Sequence, residues 1–312
     1  MRKILVLICA IFLVAVHAPA QLFKYLDTQD GLSSRRVLSI EKDKKGYMWF
    51  LTHEGADRYN GKQYKHYQMT DGNETIQHSP NLNMLQTDQN GNIWALGKDG
   101  RMFQYNADWD VFQLKLKFTD SIQSKKRLPL TLTKIDRNDN LWLCTKSSQY
   151  IYEIPTGDFY QLESEINEEI TCLAQADENH YYIGTTHSIY YATLNGKSLH
   201  VEKDSQLENF HIIHHLYYHQ PSGNLLIGTL MDGFYLYNQQ ERLLEKLGNM
   251  NDVNINAVIP YQQSQEEILM ATDGNGVYKL NMNTKKLETY FSENHHYSNK
   301  MNGDIIKDIY ED

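Results

Sequence analysis

Between residues 37 and 68 the hydrophobic positions fall into four short bursts separated by turn residues. "VLSIEKD" (37–43) alternates apolar and polar, whereas "YMWFLT" (47–52) is apolar at nearly every position, as a strand buried on both faces must be. "ADRYN" (56–60) follows a turn at Glu54-Gly55, and "QYKHYQ" (63–68) follows Asn60-Gly61, a pair that supplies the positive φ angles of a tight hairpin. The pattern predicts four consecutive antiparallel strands.

The same plan recurs in "QNGNIWALGKDGRMFQY", "RNDNLWLCTKSSQYIYEI", "NHYYIGTTHSIYYATL", "SGNLLIGTLMDGFYLY" and "QEEILMATDGNGVYKL". Aligning the second strands superposes Trp49, Trp94, Trp142, Tyr182, Leu226 and Leu269, which are 45, 48, 40, 44 and 43 residues apart. That period suits four strands and three turns rather than a helical repeat. A lone four-stranded sheet cannot bury both faces of its second strand, so neighbouring sheets stack face to face, and radial stacking predicts an all-β chain folded as a β-propeller. Trp49, Trp94 and Trp142 are expected to wedge between blades as core. "FKYL" near the start resembles an outermost strand, and "NGDIIKDIYED" (302–312) reads as a first strand that stops before its partners. Six whole units, these fragments and about 20 further residues make roughly seven periods of about 44. The expectation is therefore a seven-bladed ring whose last blade is incomplete, in a fragment of a longer polypeptide.

Residues 1–20 have a basic start at Arg2-Lys3, an apolar stretch through Val16, and small residues Ala18 and Ala20. They predict a secretory signal peptide cleaved before Gln21, hence an exported, periplasmic chain with one domain over 21–312. Cys144 and Cys172 then remain, each inside a strand pattern, and are read as buried free thiols, because a core of this size needs no staple. After cleavage 28 basic and 39 acidic residues leave a formal charge of about −11, and the basic cluster "SKKR" (124–127) stands alone. Nucleic acid is an unsuitable partner for such a surface.

The chain has no Gly-x-Ser-x-Gly elbow, phosphate loop or His-Glu-x-x-His pair. Asp88, Asn90, Asn92 and Asp99 have calcium-loop spacing, but Ile93 stands where that loop needs glycine, so the tract reads as a hairpin turn. His211, His215 and His219 would lie on one face of a strand, successive ones about 13 Å apart, too far to hold one ion. No metal or cofactor is expected. Many of the 22 tyrosines fall in third and fourth strands, where blade packing accounts for them.

The span "DGLSSRRVLSIEKDKKGYMWFLTHEGADRYNGKQYKHY" resembles the two-component regulator propeller repeat through Asp30-Gly31-Leu32, the Asp43 to Gly46 turn, Trp49 with Thr52, and Gly55 with Tyr59. Units four to six lack the tryptophan, and the sixth lacks the Asp-x-x-Gly turn. The resemblance implies the periplasmic sensor region of a hybrid two-component regulator of gut Bacteroidetes, responding to carbohydrate breakdown products. Such proteins continue through a second propeller, an immunoglobulin-like domain, a membrane span, a histidine kinase, a receiver and a DNA-binding domain, none of which is in this sequence.

Three functions follow as expectations. The first is a non-catalytic sensor that recognises an oligosaccharide, works with signalling domains whose kinase lies outside this span, and can form a homodimer. The second is a lyase or hydrolase similar to the streptogramin-lyase group, using a histidine and a carboxylate on the ring face. The third is a protein-interaction scaffold. The ligand face is expected where the turns from second to third strand circle the channel mouth: His53, Glu54, Lys98, Asp99, Lys146, Gln149, His187, Met231, Asp232, Asp273 and Asn275, with Arg35 and Arg36 beside them.

Overall fold

The computed structural model of the chain describes residues 24–71, 74–76, 81–124, 128–230, 232–248, 253–292 and 303–311. All six predicted four-strand units are present. The first blade is β1 (Val37–Lys42), β2 (Met48–Thr52), β3 (Gly55–Tyr59) and β4 (Tyr64–Tyr67), hydrogen-bonded in that order. A small hairpin, β5 (Met69–Asp71) and β6 (Glu74–Ile76), extends the outer edge of the second blade, which is β7 (Leu82–Thr87), β8 (Ile93–Gly97), β9 (Arg101–Asn106) and β10 (Val111–Lys117). One helical turn, α1 (Phe118–Ser121), leads to blade three: β11 (Leu132–Ile135), β12 (Asn140–Cys144), β13 (Gln149–Glu153) and β14 (Phe159–Gln161). Blade four is β16 (Ile170–Gln175), β17 (His180–Thr185), β18 (Ile189–Asn195) and β19 (Ser198–Lys203), with β15 (Glu163–Ser164) added parallel at its outer edge. Blade five is β20 (Ile213–His219), β21 (Asn224–Thr229), β22 (Phe234–Asn238) and β23 (Leu243–Leu247). Blade six is β24 (Ile255–Pro260), β25 (Glu267–Thr272), β26 (Val277–Asn281) and β27 (Leu287–Phe291).

The core lies in slabs between successive blades. Trp49, Leu51 and Ala56 of blade one meet Leu85, Ile93 and Phe103 of blade two, and the same exchange recurs at each junction through to blades five and six. Second strands contribute to slabs on both sides, so β8 and β21 are buried from end to end, as their unbroken apolar runs require.

Two repeat residues have defined jobs. Each tryptophan donates its indole N–H to the aspartate six residues earlier: Trp49 to Asp43 at 2.8 Å, Trp94 to Asp88 at 3.0 Å, Trp142 to Asp136 at 2.9 Å. The ring therefore fills the slab while its polar edge secures the turn between first and second strands. The threonine ending the second strand caps the next turn. The Oγ1 of Thr52, Thr145, Thr185, Thr229 and Thr272 donates to the carbonyl of Gly55, Ser148, Ser188, Gly233 and Gly276, at 3.2, 3.1, 2.9, 2.8 and 2.7 Å. Blade two has Gly97 there, and Asp99 organises the turn instead by accepting from the Arg101 N–H at 3.2 Å.

The expected count of seven blades is corrected to six among the described residues: four sheets have four strands, and two four-stranded blades are extended by short strands to five and six. Residues 24–27 form no strand, and 303–311 makes a single bridge, Ile305 with Asp273. That segment nevertheless spans blades six and one. Ile306 N–H donates to the Thr272 carbonyl at 2.9 Å, and Asp308 accepts from Ile40 N–H at 2.7 Å and Ser39 Oγ at 3.0 Å.

Cys144 and Cys172 are buried and unbridged. No helix among the described residues is long and apolar enough to cross a membrane. The expected signal peptide at 1–20 and its cleavage site lie outside the described residues.

Candidate functional site: two mouths of one channel

Antiparallel register decides which end of the ring each group occupies. Val37 pairs with Thr52 and Leu132 with Cys144, so the second-to-third turns cluster beside the starts of the inner strands. The first-to-second turns, with Asp43, Asp88 and Asp136, lie at the opposite mouth.

At the second-to-third mouth the predicted residues divide. Lys98, Lys146, Glu54 and His187 are exposed, as are Arg35, 3.9 Å from Asp27, and Arg36. Asp273 pairs with Lys307 at 2.9 Å. Asp232 accepts from the His211 N–H at 3.3 Å, and His187 Nδ1 lies 3.4 Å from the Phe210 carbonyl. His53 and Asn275 are half-buried, the former with a buried Nε2 that has no partner among the described residues. Two expectations are corrected. The Asp99 side chain is only 2% exposed and its carboxylate is taken up by the Arg101 guanidinium, with Nε at 2.7 Å. Gln149 is buried at 3% exposure because it belongs to β13, paired with Cys144, and not to the turn. Neither can reach a ligand. Met231 lies outside the described residues. Blades two, five and six and the 303–311 segment converge here: burial and then Lys98 lower the pKa of His214, Asp273 opposes them, and Lys307 adds to the lowering.

The histidine tract is divided among separate tasks. His211 precedes its strand, His215 pairs within it opposite Gly228, and His219 contacts Ser222 Oγ at 2.8 Å. Among the described residues no group of three His, Cys, Asp or Glu side chains could hold a metal ion. "DQNG" is a turn, closed by Gly91 N–H on the Asp88 carbonyl at 2.8 Å.

The opposite mouth holds a cavity of about 820 Å³ that was not expected from the sequence. It sits where the inner strands of blades two to six end. Gln89, Gln175, Gln262 and Gln265 offer amides, Tyr217 and Tyr261 offer aromatic faces, and Lys134 and Arg137 offer cations. The repeat explains the void. Lys134, Ala174 and Tyr217 pair with Trp142, Tyr182 and Leu226, so they occupy one repeat position in blades three, four and five. Ala174 places almost nothing between its two large neighbours. The signal that could have revealed this site is the residue of the inner strand facing each aligned second-strand position.

No curated protein matches the chain. Among solved structures, the extracellular domain assigned to the hybrid two-component system BT3049 of B. thetaiotaomicron is similar at 24% identity with a TM-score of 0.70, over 93% of this chain and 39% of that one. The extracellular domain assigned to the one-component system BT4673 of the same organism is similar at 17% identity and TM-score 0.69, over 94% and 38%. The chain thus spans about two fifths of those domains. Virginiamycin B lyase of Staphylococcus aureus is similar at 10% identity and TM-score 0.60, over 81% and 83%. At these identities the likeness is one of fold. Residues 31–54, from Gly31 through Trp49 and Thr52 to Glu54, match the family model "Two component regulator propeller", so the chain carries that propeller repeat.

Proposed function

We propose that this chain is the exported, ligand-recognising propeller of a two-component regulator, that it binds an oligosaccharide, and that it does so without catalysis in this span. The observation that carries the reading is the regulator repeat at residues 31–54, on a fold shared with the extracellular domains of Bacteroides sensors. The ligand class is supported by chemistry. Amides and tyrosines around a concave mouth suit a molecule with many hydroxyls and a weakly apolar ring face.

Calorimetry of the purified chain against a panel of oligosaccharides, with products monitored in parallel, tests this. Saturable binding without turnover is the expected result. Turnover of a glycan or a streptogramin would replace the sensor by a propeller lyase, the second reading, which rests on the fold likeness to virginiamycin B lyase. If Lys98→Ala, His187→Ala and Asp273→Ala all leave a measured affinity unchanged, the second-to-third mouth is not the ligand face.

A further inference from the structure

The two cations of the first-to-second mouth differ from the other charges around them. Lys134 Nζ donates to one neutral group, the Leu173 carbonyl, at 2.8 Å. Among the described residues no carboxylate forms an ion pair with it. Arg137, three residues further at the rim, donates to the carbonyl of Gln175 at 2.8 Å and lies 3.4 Å from that residue's Oε1, again neutral. The acids of the same cavity are committed elsewhere. Asp88 and Asp136 accept from Trp94 and Trp142 and from Asn92 and Asn140, Asp139 accepts from Gln89 N–H, and Glu267 lies 3.6 Å from Lys279.

Burial holds the Lys134 pKa below its ordinary value, with Cys172 and Asp136 opposing, so the ammonium is costly where it stands, and an anion brought to Nζ would favour the charged form. Asp136 acts on it through space without pairing, and two other neighbours add no charge. Burial and the nearby Lys134 push His215 down to about 3, and burial pushes the Cys172 thiol up to about 12, so both stay neutral. Across the gap left by Ala174 stands Tyr217, whose hydroxyl has no hydrogen-bond partner among the described residues. Ammonium and phenol thus face one void from the same repeat position, the pairing that binds a carboxylate or sulfate oxygen through charge-assisted bonds.

We infer that the cavity between Lys134 and Tyr217 binds the acidic group of an anionic oligosaccharide, with Arg137 at the rim meeting a further acidic or hydroxyl group of the same chain. This rests on the sensor reading above and narrows its ligand to acidic sugars held at the first-to-second mouth.

The test is calorimetry of the chain with trigalacturonate (carboxylates only), a heparin-derived tetrasaccharide (sulfates and carboxylates) and galactotriose (neutral). At least one acidic probe is expected to bind, with galactotriose weaker by at least about tenfold. Trigalacturonate binding shows that carboxylate suffices; binding of the heparin fragment alone assigns the pocket to sulfate. Lys134→Met should weaken the acidic probe by at least about tenfold, and Ala174→Leu, which fills the void and leaves the charge, should do likewise, while Lys62→Ala, in the exposed turn between β3 and β4 away from either mouth, should not. Circular dichroism would establish that each variant is folded, and Lys134→Met replaces a costly buried amine by an apolar side chain of similar length, so it is expected to fold. Galactotriose binding as tightly as the acids, or acidic binding indifferent to both Lys134→Met and Ala174→Leu, overturns the inference and leaves the sensor reading standing. A folded wild-type chain that binds none of a wider oligosaccharide panel overturns both.

Discussion

Asp136 shows how much one side chain of the repeat carries. Its carboxylate accepts from the N–H groups of Asn138 and Asn140 at 2.8 and 2.9 Å, from Asn140 Nδ2 at 3.1 Å, from Trp142 Nε1 at 2.9 Å and from Tyr181 Oη at 2.8 Å. Removing it strands several buried donors at once, so Asp136→Ala should destabilise the chain by about 2–4 kcal/mol in urea unfolding. Asp177, in the corresponding turn of blade four, is exposed and serves His180 and two backbone N–H groups. Asp177→Ala should cost about 1 kcal/mol or less. Equal costs would mean that the tryptophan–aspartate bond adds nothing. The tyrosine content follows related logic: Tyr67 and Tyr105 both donate to Asp110, Tyr190 to Glu168, Tyr237 to Asp204 and Tyr160 to Glu153. Such rings pack apolar faces while their hydroxyls hold carboxylates.

Among the elements, the turn between second and third strands is the most constrained. Gly55 and Gly276 hold the same place in blades one and six, with φ of +132° and +73°, and an added Cβ would meet the carbonyls of Tyr67 and Phe291 at 2.4 and 2.1 Å. Gly276→Ala should therefore cost upward of about 2 kcal/mol, measured by thermal or urea melts. Gly274, at φ +104° with nothing within 4 Å, should cost about 1 kcal/mol when changed to alanine. Reversal of that order would place the constraint in φ alone rather than in the packing of third strand on fourth. These turns were legible in the sequence because threonine and glycine mark them, and the second strands were legible because burial on both faces leaves an unbroken apolar run. The two-residue β15 and the β5–β6 hairpin were not legible, since strands so short carry no period and exist only by leaning on β19 and β10. Buried Gln149 was misplaced by one element for a related reason: polar character suggested a turn, while pairing with Cys144 put it in a strand. The cavity was hidden more deeply. It depends on Ala174 standing between Lys134 and Tyr217, a relation between three blades that no single unit displays.

At the scale of the ring, the junction of blade six, segment 303–311 and blade one is held by polar contacts rather than by a shared slab. Asn256 Nδ2 donates to the Ile306 carbonyl at 2.8 Å, Gly274 and Gly276 N–H to that of Asp304 at 3.0 and 2.8 Å, and Asp308 reaches β1. Beside Asp308 lies Glu41, whose pKa is pushed from its ordinary 4.5 up to about 7 by burial first and then by the Asp308 charge, while burial raises Asp308 as well. A carboxyl whose pKa is raised on folding binds a proton more readily in the folded chain than in the unfolded one. Its contribution to stability is therefore fully present below about pH 4.5 and is lost as pH rises through about 7. For Glu41 the loss should amount to roughly 1–3 kcal/mol, and Asp308 adds to it in the same direction. Glu41→Gln should melt like the wild-type chain near pH 5 and higher than it at pH 8. Hydrogen exchange locates the effect: protection factors, corrected for intrinsic rates, should fall between pH 5 and pH 8 in residues 37–42 and 303–311 but not in β16 or β17. Asp308→Asn, which keeps an oxygen for Ile40 N–H and removes the repulsion, should flatten that dependence. If β1 protection is the same at both pH values, or Glu41→Gln gives no gain at pH 8, the carboxylate pair does not govern how firmly the ring is held at this junction.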